Sequence, residues 1–156
     1  MIEEIGEKEI FYGVKSYVYK IQLAKSYVFM RIDKTYSIND ERYVVIVDSA
    51  KFYKAWTGKE IEQCVIADEH EQKKYDDAIR GFAEGIANPV PLAEAAYYKD
   101  FSFINGITRT KYLFINGAKC IPLEFDKAST LRICQNIPDV LYTKKVENVY
   151  NLLKLG

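Results

Sequence analysis

The stretch that decides the fold of this chain is residues 101–125, which are FSFINGITRTKYLFINGAKCIPLEF. Residues 101–104 are β-prone, and the pair Asn105-Gly106 is typical of a tight turn. Residues 108–114 suit a helix, because apolar side chains return at helical spacing. Residues 120–125 are β-prone again. The pattern therefore predicts a compact unit of strand, turn, helix, turn and strand.

The turn in this unit carries the residues that are best suited to bind a ligand. Gly106 ends the first strand, Thr108 is predicted to cap the helix, and Arg109 falls in its first turn. Backbone N–H groups at a helix N-terminus attract anions, and an arginine side chain adds a bidentate hydrogen-bond donor. Gly106, Thr108 and Arg109 are thus candidates for a phosphate- or carboxylate-binding cradle. The alternative is an ordinary capped helix whose arginine faces solvent.

Outside the unit, the first half of the chain is rich in β-prone runs. In one of them Tyr17, Tyr19, Ile21 and Leu23 share a face by the strand period of two. The predicted strands are residues 9–12, 17–23, 27–32 and 43–47, with a turn over 36–42.

Helical spacing returns after this β-rich part. Phe52 and Trp56 are predicted to be buried against the sheet that contains residues 43–47, on a short helix that Asp48 or Ser49 caps and Gly58 ends. Longer helices are expected over residues 69–84, 127–135 and 143–154, and an extended segment over 88–91. The apolar stripe of the first of these helices consists of Tyr75, Ala78, Ile79, Phe82 and Ala83.

Composition excludes several classes of function. The 156 residues include 22 basic and 22 acidic side chains, and a zero net charge disfavours a sequence-independent grip on nucleic acid or on anionic membranes. The one histidine, His70, rules out two-histidine metal chemistry, and we expect it on a solvated helix surface. No metal site and no catalytic residue is predicted.

Cys64, Cys120 and Cys134 are expected to be reduced, buried thiols. The acidic start of the chain and the absence of a run of about 20 apolar residues predict a cytoplasmic protein.

Several motifs in the same order resemble the ParB/sulfiredoxin-type fold and, within it, the plasmid fertility inhibition factors. Residues 44–56, VVIVDSAKFYKAW, resemble the VVVDV…F…W segment of that family, and residues 89–92, PVPL, resemble its Pro-x-Val strand. Within residues 106–123, GITR resembles the Gly-x-His-Arg turn of that family. After it come YL, then NGA, which resembles the glycine loop, and IPL, which resembles the Ile-Pro-Val strand. The resemblance covers residues 27–136.

The resemblance implies an α/β (or α+β) protein with a single ParB/sulfiredoxin-like domain. Its expected parts are an N-terminal β-rich segment (1–47), the core (48–125) and C-terminal helices (126–156). The turn departs from the family pattern, because Ile107 and Thr108 stand where members usually have Arg-His. Only Gly106 and Arg109 carry over. The missing histidine removes a phosphate donor and an acid-base group, and so argues against nucleotide-dependent catalysis.

By this resemblance the chain is expected to be an interaction protein of a bacterial mobile element. It would inhibit conjugative or T-DNA transfer by binding a protein of the transfer machinery, with no cofactor, membrane or nucleic acid as partner. The first alternative is a nuclease or phosphotransferase of the same fold that uses ATP or Mg²⁺ at Arg109. The second is an immunity or anti-defence protein that binds a toxin or a nuclease. Zero net charge and 13 tyrosines favour the two binding functions.

Overall fold

The computed structural model describes residues 2–10, 14–33 and 41–153. These residues form strands and α-helices in the order β1 (Ile2–Ile10), β2 (Val14–Gln22), β3 (Tyr27–Asp33), β4 (Arg42–Asp48), α1 (Ser49–Thr57), α2 (Glu69–Ala83), β5 (Val90–Pro91), β6 (Glu94–Tyr97), β7 (Phe101–Asn105), α3 (Ile107–Ile115), β8 (Cys120–Asp126), α4 (Lys127–Asn136), β9 (Leu141–Asn148) and α5 (Val149–Leu152). Short 3-10 helices lie at Ile61–Gln63, Gly85–Ala87 and Pro138–Val140.

The strands form two sheets in a single α+β domain. The first sheet has the order β1-β2-β3-β5, in which only the β3–β5 pair is parallel. The second has the order β7-β6-β8-β4-β9, and β4 is antiparallel to both of its neighbours. The fold class predicted from the sequence is confirmed. β4, which the sequence analysis grouped with the N-terminal segment, lies inside the second sheet.

The unit at residues 101–125 has the predicted structure. β7 ends at Asn105, Gly106 turns the chain, and α3 begins at Ile107. The helix ends at Asn116, and β8 follows from Cys120. β8 then lies between β4 and β6, so this unit contributes both the central strand β8 and the edge strand β7 of the second sheet.

The predicted strands of the N-terminal half are also confirmed where the structure describes them. Tyr19, Ile21 and Leu23 are buried and Tyr17 is partly buried, and Val18 on the opposite face is fully buried as well. Most of the predicted turn over residues 36–42 and the end of the predicted strand over 9–12 lie outside the described residues.

The short helix α1 has the predicted ends, and its aromatic side chains pack against the core. Asp48 accepts a hydrogen bond from the Lys51 backbone N–H at 3.0 Å, and Gly58 takes the left-handed conformation at φ 76°. Phe52 is fully buried. Trp56, which was predicted to be largely buried as well, is partly buried against the core, and its ring centroid lies 4.9 Å from that of Phe103.

The helix α2 matches its predicted span, but its apolar stripe is narrower than expected. Phe82 is buried and stacks on Tyr112 of α3 at 4.7 Å between centroids. Ile79 is 43% exposed and Ala83 is exposed as well, because α2 contacts its neighbours mainly along the line towards α3. Those two positions of the predicted stripe are therefore wrong.

The C-terminal part contains the largest error of the sequence-based prediction. α4 lies where a helix was expected, but the helix predicted over residues 143–154 is wrong. Residues Leu141–Asn148 form β9, and only the short α5 follows it. β9 takes its structure from pairing with β4, a tertiary contact that outweighs local helix propensity.

Candidate functional site

Gly106 lies at a point of close backbone approach. Its φ of 88° is in the left-handed region that favours glycine. A Cβ atom at this position would lie 2.5 Å from the Cβ atom of Ala93 and 2.8 Å from Nε of Arg109. The turn therefore requires glycine for two reasons, the backbone conformation and the lack of space.

Arg109 lies in the first turn of α3, as predicted, and its guanidinium is bound within the chain. Its Nη2 atom donates to Oδ1 of Asn105 at 2.7 Å and to the Leu92 carbonyl at 3.4 Å. Its Nε atom is buried and has no partner among the described residues. Burial lowers the pKa of Arg109, and the nearby Glu94 carboxylate opposes that shift. The guanidinium nevertheless keeps its charge, because arginine is effectively always protonated in proteins.

The predicted role of Thr108 as the helix cap is wrong. The helix starts one residue earlier than the sequence suggested, so Gly106 takes the cap position and supplies no side-chain hydrogen bond. Thr108 lies within the first turn, where a side chain no longer caps the free backbone N–H groups. The threonine that bonds to the turn is Thr110, whose hydroxyl donates to the Gly106 carbonyl at 2.8 Å.

A cavity of about 460 Å³ opens in front of this turn, and Gly106, Thr108 and Arg109 all line it. Its volume is within the range of about 300–1,000 Å³ that is common for ligand sites. The side chains that the sequence did not predict come from α2 and β7; they are Lys74, Asp77, Ala78, Phe103 and Ile104. The wall therefore holds a carboxylate as well as two cations, which weakens its attraction for an anion.

A polar network continues from Arg109 into the second sheet. Asn105 donates from Nδ2 to Oε1 of Glu94 at 3.2 Å. Arg42, which is 8% exposed, binds both Glu94 at 3.3 Å and Glu124 at 2.7 Å. Sequence reasoning missed Arg42 and Glu94 because they are 52 residues apart, and no local pattern links them.

The remaining candidates lie apart from this site. His70 is exposed at the start of α2, as expected. Cys64 and Cys120 are buried, but Cys134 is exposed on α4, so its predicted burial is wrong. Among the residues described, no cluster of three metal-ligating side chains occurs, and no helix is long and apolar enough to cross a bilayer.

A comparison with protein-family models gives one match that spans this site. The model described as Plasmid Fertility inhibition factor matches residues 44–135, more than half of the chain. The chain belongs to the plasmid fertility inhibition factor family. The matched span runs from β4 to α4 and includes the Gly106–Arg109 turn, the cavity and Glu94 and Glu124 of the network.

One curated protein and one solved structure are also similar to this chain. The protein osa of Shigella flexneri is 29% identical over 105 residues, which cover 61% of this chain and 56% of that protein. This chain therefore matches little more than half of that relative's length. The crystal structure of the Oncogenic Suppression Activity protein, a plasmid fertility inhibition factor, superposes with a TM-score of 0.65 at 22% identity. That superposition covers 90% of this chain and 77% of the other, and it shows a shared fold.

Proposed function

We propose that this chain is a mobile-element protein that inhibits conjugative or T-DNA transfer by binding a protein component of the transfer machinery in the cytoplasm. The observation that carries the proposal is the family match over residues 44–135, together with the similarity to a fertility inhibition factor across 90% of the chain. Fold alone does not determine function, so the binding mode is argued from the surface of this chain.

Two exposed isoleucines lie beside the turn. Ile104 is 63% exposed and Ile107 is 43% exposed, and both lie at the cavity in front of Gly106. Adjacent exposed aliphatic side chains beside a concavity are typical of a protein-binding surface. We call this surface the isoleucine rim, and we propose that the partner contacts it.

The strand that carries Ile104 also supports a protein partner. β7 is the edge strand of the second sheet among the described strands, and its sequence, FSFIN, has no charged residue and no proline. Natural edge strands are usually protected by such residues, as β9 is by Lys144 and Lys145. An unprotected edge can accept an extended segment of a partner as an added strand.

We also propose that the domain has a ParB/sulfiredoxin-like fold. The order of β7, the Gly106 turn, α3 and β8 supports this assignment, because it reproduces the strand, glycine turn, helix and strand that the sequence motifs predicted.

The second candidate function is a nucleotide- or metal-dependent enzyme that works at the cavity. The unpartnered Nε of Arg109 and the free backbone at the start of α3 favour it. The bonds that hold Nη2 of Arg109 to Asn105 and Leu92, and the carboxylate of Asp77 in the cavity wall, argue against it.

A mating assay tests the proposal. Donor cells that carry a conjugative plasmid or a T-DNA transfer system express the chain, and transconjugants or transformation events per donor are counted. We expect the wild-type chain to lower the count and Ile104→Asp to relieve the inhibition. The matched control is Val65→Asp, because Val65 is 62% exposed and lies outside the isoleucine rim. Both variants should fold, since substitutions on the surface usually change stability by less than about 0.5 kcal/mol.

The outcomes of this assay separate the two functions. Wild-type protein that leaves every tested transfer system unaffected contradicts the proposal. Inhibition that survives Ile104→Asp but disappears in a folded Arg109→Ala variant favours the enzyme.

A further inference from the structure

The cavity in front of the Gly106 turn is accessible to a side chain of a binding partner. None of the described residues that line it is buried. Its wall carries apolar side chains from α2, β5, β7 and α3, which are Ala78, Val90, Phe103, Ile104 and Ile107. An apolar group that enters the cavity can therefore contact these side chains directly and remove their exposed area from water.

The part of the wall that comes from α2 leaves room for an aromatic ring. Ala78 and Gly81 lie three residues apart on this helix and carry at most a methyl group. Phe103 lines the same cavity, and a second ring can stack on it or pack edge to face. The volume of about 460 Å³ is ample, since a cavity of about 150 Å³ already binds benzene.

The charge that remains unpaired at this wall is a single positive one. The carboxylate of Asp77 is bound by Arg80 of the same helix, and the guanidinium of Arg109 is held by bonds within the chain. Lys74 is exposed and forms no ion pair with any of the residues described. One free ammonium group is complementary to one carboxylate rather than to a polyphosphate, which carries several negative charges.

The free edge of β7 leads directly to the cavity. The register of β6 and β7 shifts between Glu94 and Ala95, which leaves Ile104 as the extra residue of a β-bulge. Bulges often lie next to functional sites, where they redirect a side chain. The regular part of the edge therefore covers residues 101–103, and its last residue, Phe103, is also part of the cavity wall. An extended segment that pairs with this edge reaches the cavity within one residue.

We propose that the partner of this chain presents an extended segment in which an acidic residue stands next to an aromatic one. The aromatic ring fills the cavity, the carboxylate pairs with Nζ of Lys74, and the backbone adds to β7 at residues 101–103. This inference rests on the proposed function, because it names the chemistry of the partner at the same surface.

The test measures the binding of short peptides to the full chain by shifts of its backbone amide NMR signals. The probe is an acetylated and amidated hexapeptide, Ser-Thr-Asp-Phe-Thr-Ser, and we expect saturable shifts at millimolar concentrations around the cavity and β7. A version with serine in place of the phenylalanine should bind about tenfold or more weakly, because the burial of the ring is lost. A version with lysine in place of the aspartate should bind about two- to fivefold more weakly, the range for an exposed ion pair.

A charge swap tests the role of Lys74, and Lys73→Glu is the matched control. Both lysines are exposed on α2, but only Lys74 lines the cavity, since adjacent residues of a helix point in different directions. We expect Lys74→Glu to weaken binding of the aspartate peptide and to strengthen binding of the lysine peptide, so that their order reverses. Lys73→Glu changes the net charge equally and should leave the order unchanged.

A larger side chain in the wall tests the location of the ring. Ala78→Trp should abolish binding of the phenylalanine peptide, because the indole occupies the cavity. Ala83→Trp is the control, since Ala83 is exposed on the same helix and does not line the cavity. The charge swap decides the question if Ala78→Trp does not fold.

The outcomes distinguish this inference from the proposed function. The inference is overturned by equal binding of the phenylalanine and serine peptides, by equal effects of the two lysine variants, or by the absence of saturable shifts. Self-association of the chain that blocks the cavity, detected by light scattering, would identify a second copy as the occupant and overturn it as well. Wild-type protein that inhibits transfer but binds no peptide refutes this inference alone. The proposed function fails separately, if no transfer system is inhibited in the mating assay.

Discussion

Oδ1 of Asn105 lies 2.7 Å from Nη2 of Arg109, across the glycine that separates β7 from α3. The same oxygen accepts from the Glu94 backbone N–H at 3.2 Å, and the amide nitrogen of Asn105 donates to the Glu94 carboxylate. Asn105 thus anchors the arginine to the second sheet. The guanidinium is positioned by its own chain before any ligand arrives.

The first prediction follows from this anchoring. We expect no measurable ATP binding at millimolar concentrations and no hydrolysis, because Nη2 of Arg109 is engaged by Asn105 and Leu92 and the turn has no histidine. Calorimetric titration with ATP and Mg²⁺, with a phosphate-release assay alongside, measures both. Hydrolysis that is lost in Arg109→Ala at an unchanged melting temperature would contradict this prediction and support the enzyme.

The second prediction separates the two reasons why position 106 requires a glycine, which are its backbone conformation and the lack of space for a Cβ atom. Gly106→Ala should destabilise the protein more than Gly58→Ala, although both glycines have φ values in the left-handed region. A Cβ atom at Gly58 meets nothing within 4 Å, so only the backbone cost of about 1–2 kcal/mol applies. At Gly106 the contact with Ala93 adds the cost of overpacking, about 1–3 kcal/mol. Urea unfolding of both variants measures the difference, and equal losses would show that the backbone at Gly106 moves away freely.

The third prediction concerns the aromatic side chains of α1. Phe52→Ala should cost about 3–5 kcal/mol of unfolding free energy, because the ring is fully buried and lies 4.7 Å from that of Phe101. Trp56→Ala should cost less, since Trp56 is only partly buried. Chemical denaturation of the two variants decides the order. A larger loss for Trp56→Ala would mean that its contact with Phe103 contributes more than its exposure suggests.

The fourth prediction concerns pH. Burial raises the pKa of Asp126, but its hydrogen bond from the Ser129 backbone N–H at 2.7 Å, together with nearby arginines, outweighs burial and leaves that pKa below its usual value. A carboxyl group with a lowered pKa stabilises the fold above its unfolded pKa of about 3.9, and this contribution is lost as the pH falls through the folded pKa. The stability advantage of the wild type over Asp126→Asn should therefore shrink below about pH 4. Urea unfolding at neutral and acidic pH measures it, and a constant difference would contradict the assigned cause.

The parts of the fold that could be predicted are those in which local signals agree. Residues 101–125 have a glycine at each turn and a clear period in each element, so their structure followed from the sequence. β6 was missed, because Glu-Ala-Ala-Tyr is short and favours a helix until β7 and β8 pair with it. β9 was missed for a related reason, since its lysines protect a sheet edge but resemble the polar face of a helix.

Only those residues of the candidate site that lie close together in the sequence could be predicted. Gly106 and Arg109 are close in sequence and come together as expected. Thr108 did not cap, because the cap position lies two residues earlier, at Gly106, which is within the usual error for an element boundary. Arg42 joins the network across the sheet from β4, and only the pairing of β4 with β8 brings it to Glu124.

The position of β9 beside β4 has a consequence for how the chain can be divided. The family match ends at residue 135, before β9 begins at Leu141, yet β4 depends on β9 to occupy one of its two hydrogen-bonding edges. A fragment trimmed to residues 44–135 would uncover the backbone of a strand whose Val44, Val45 and Val47 are buried in the intact chain. Such a fragment would present an apolar, unprotected edge and would be expected to aggregate. The boundary of sequence similarity is therefore not a boundary of autonomous folding.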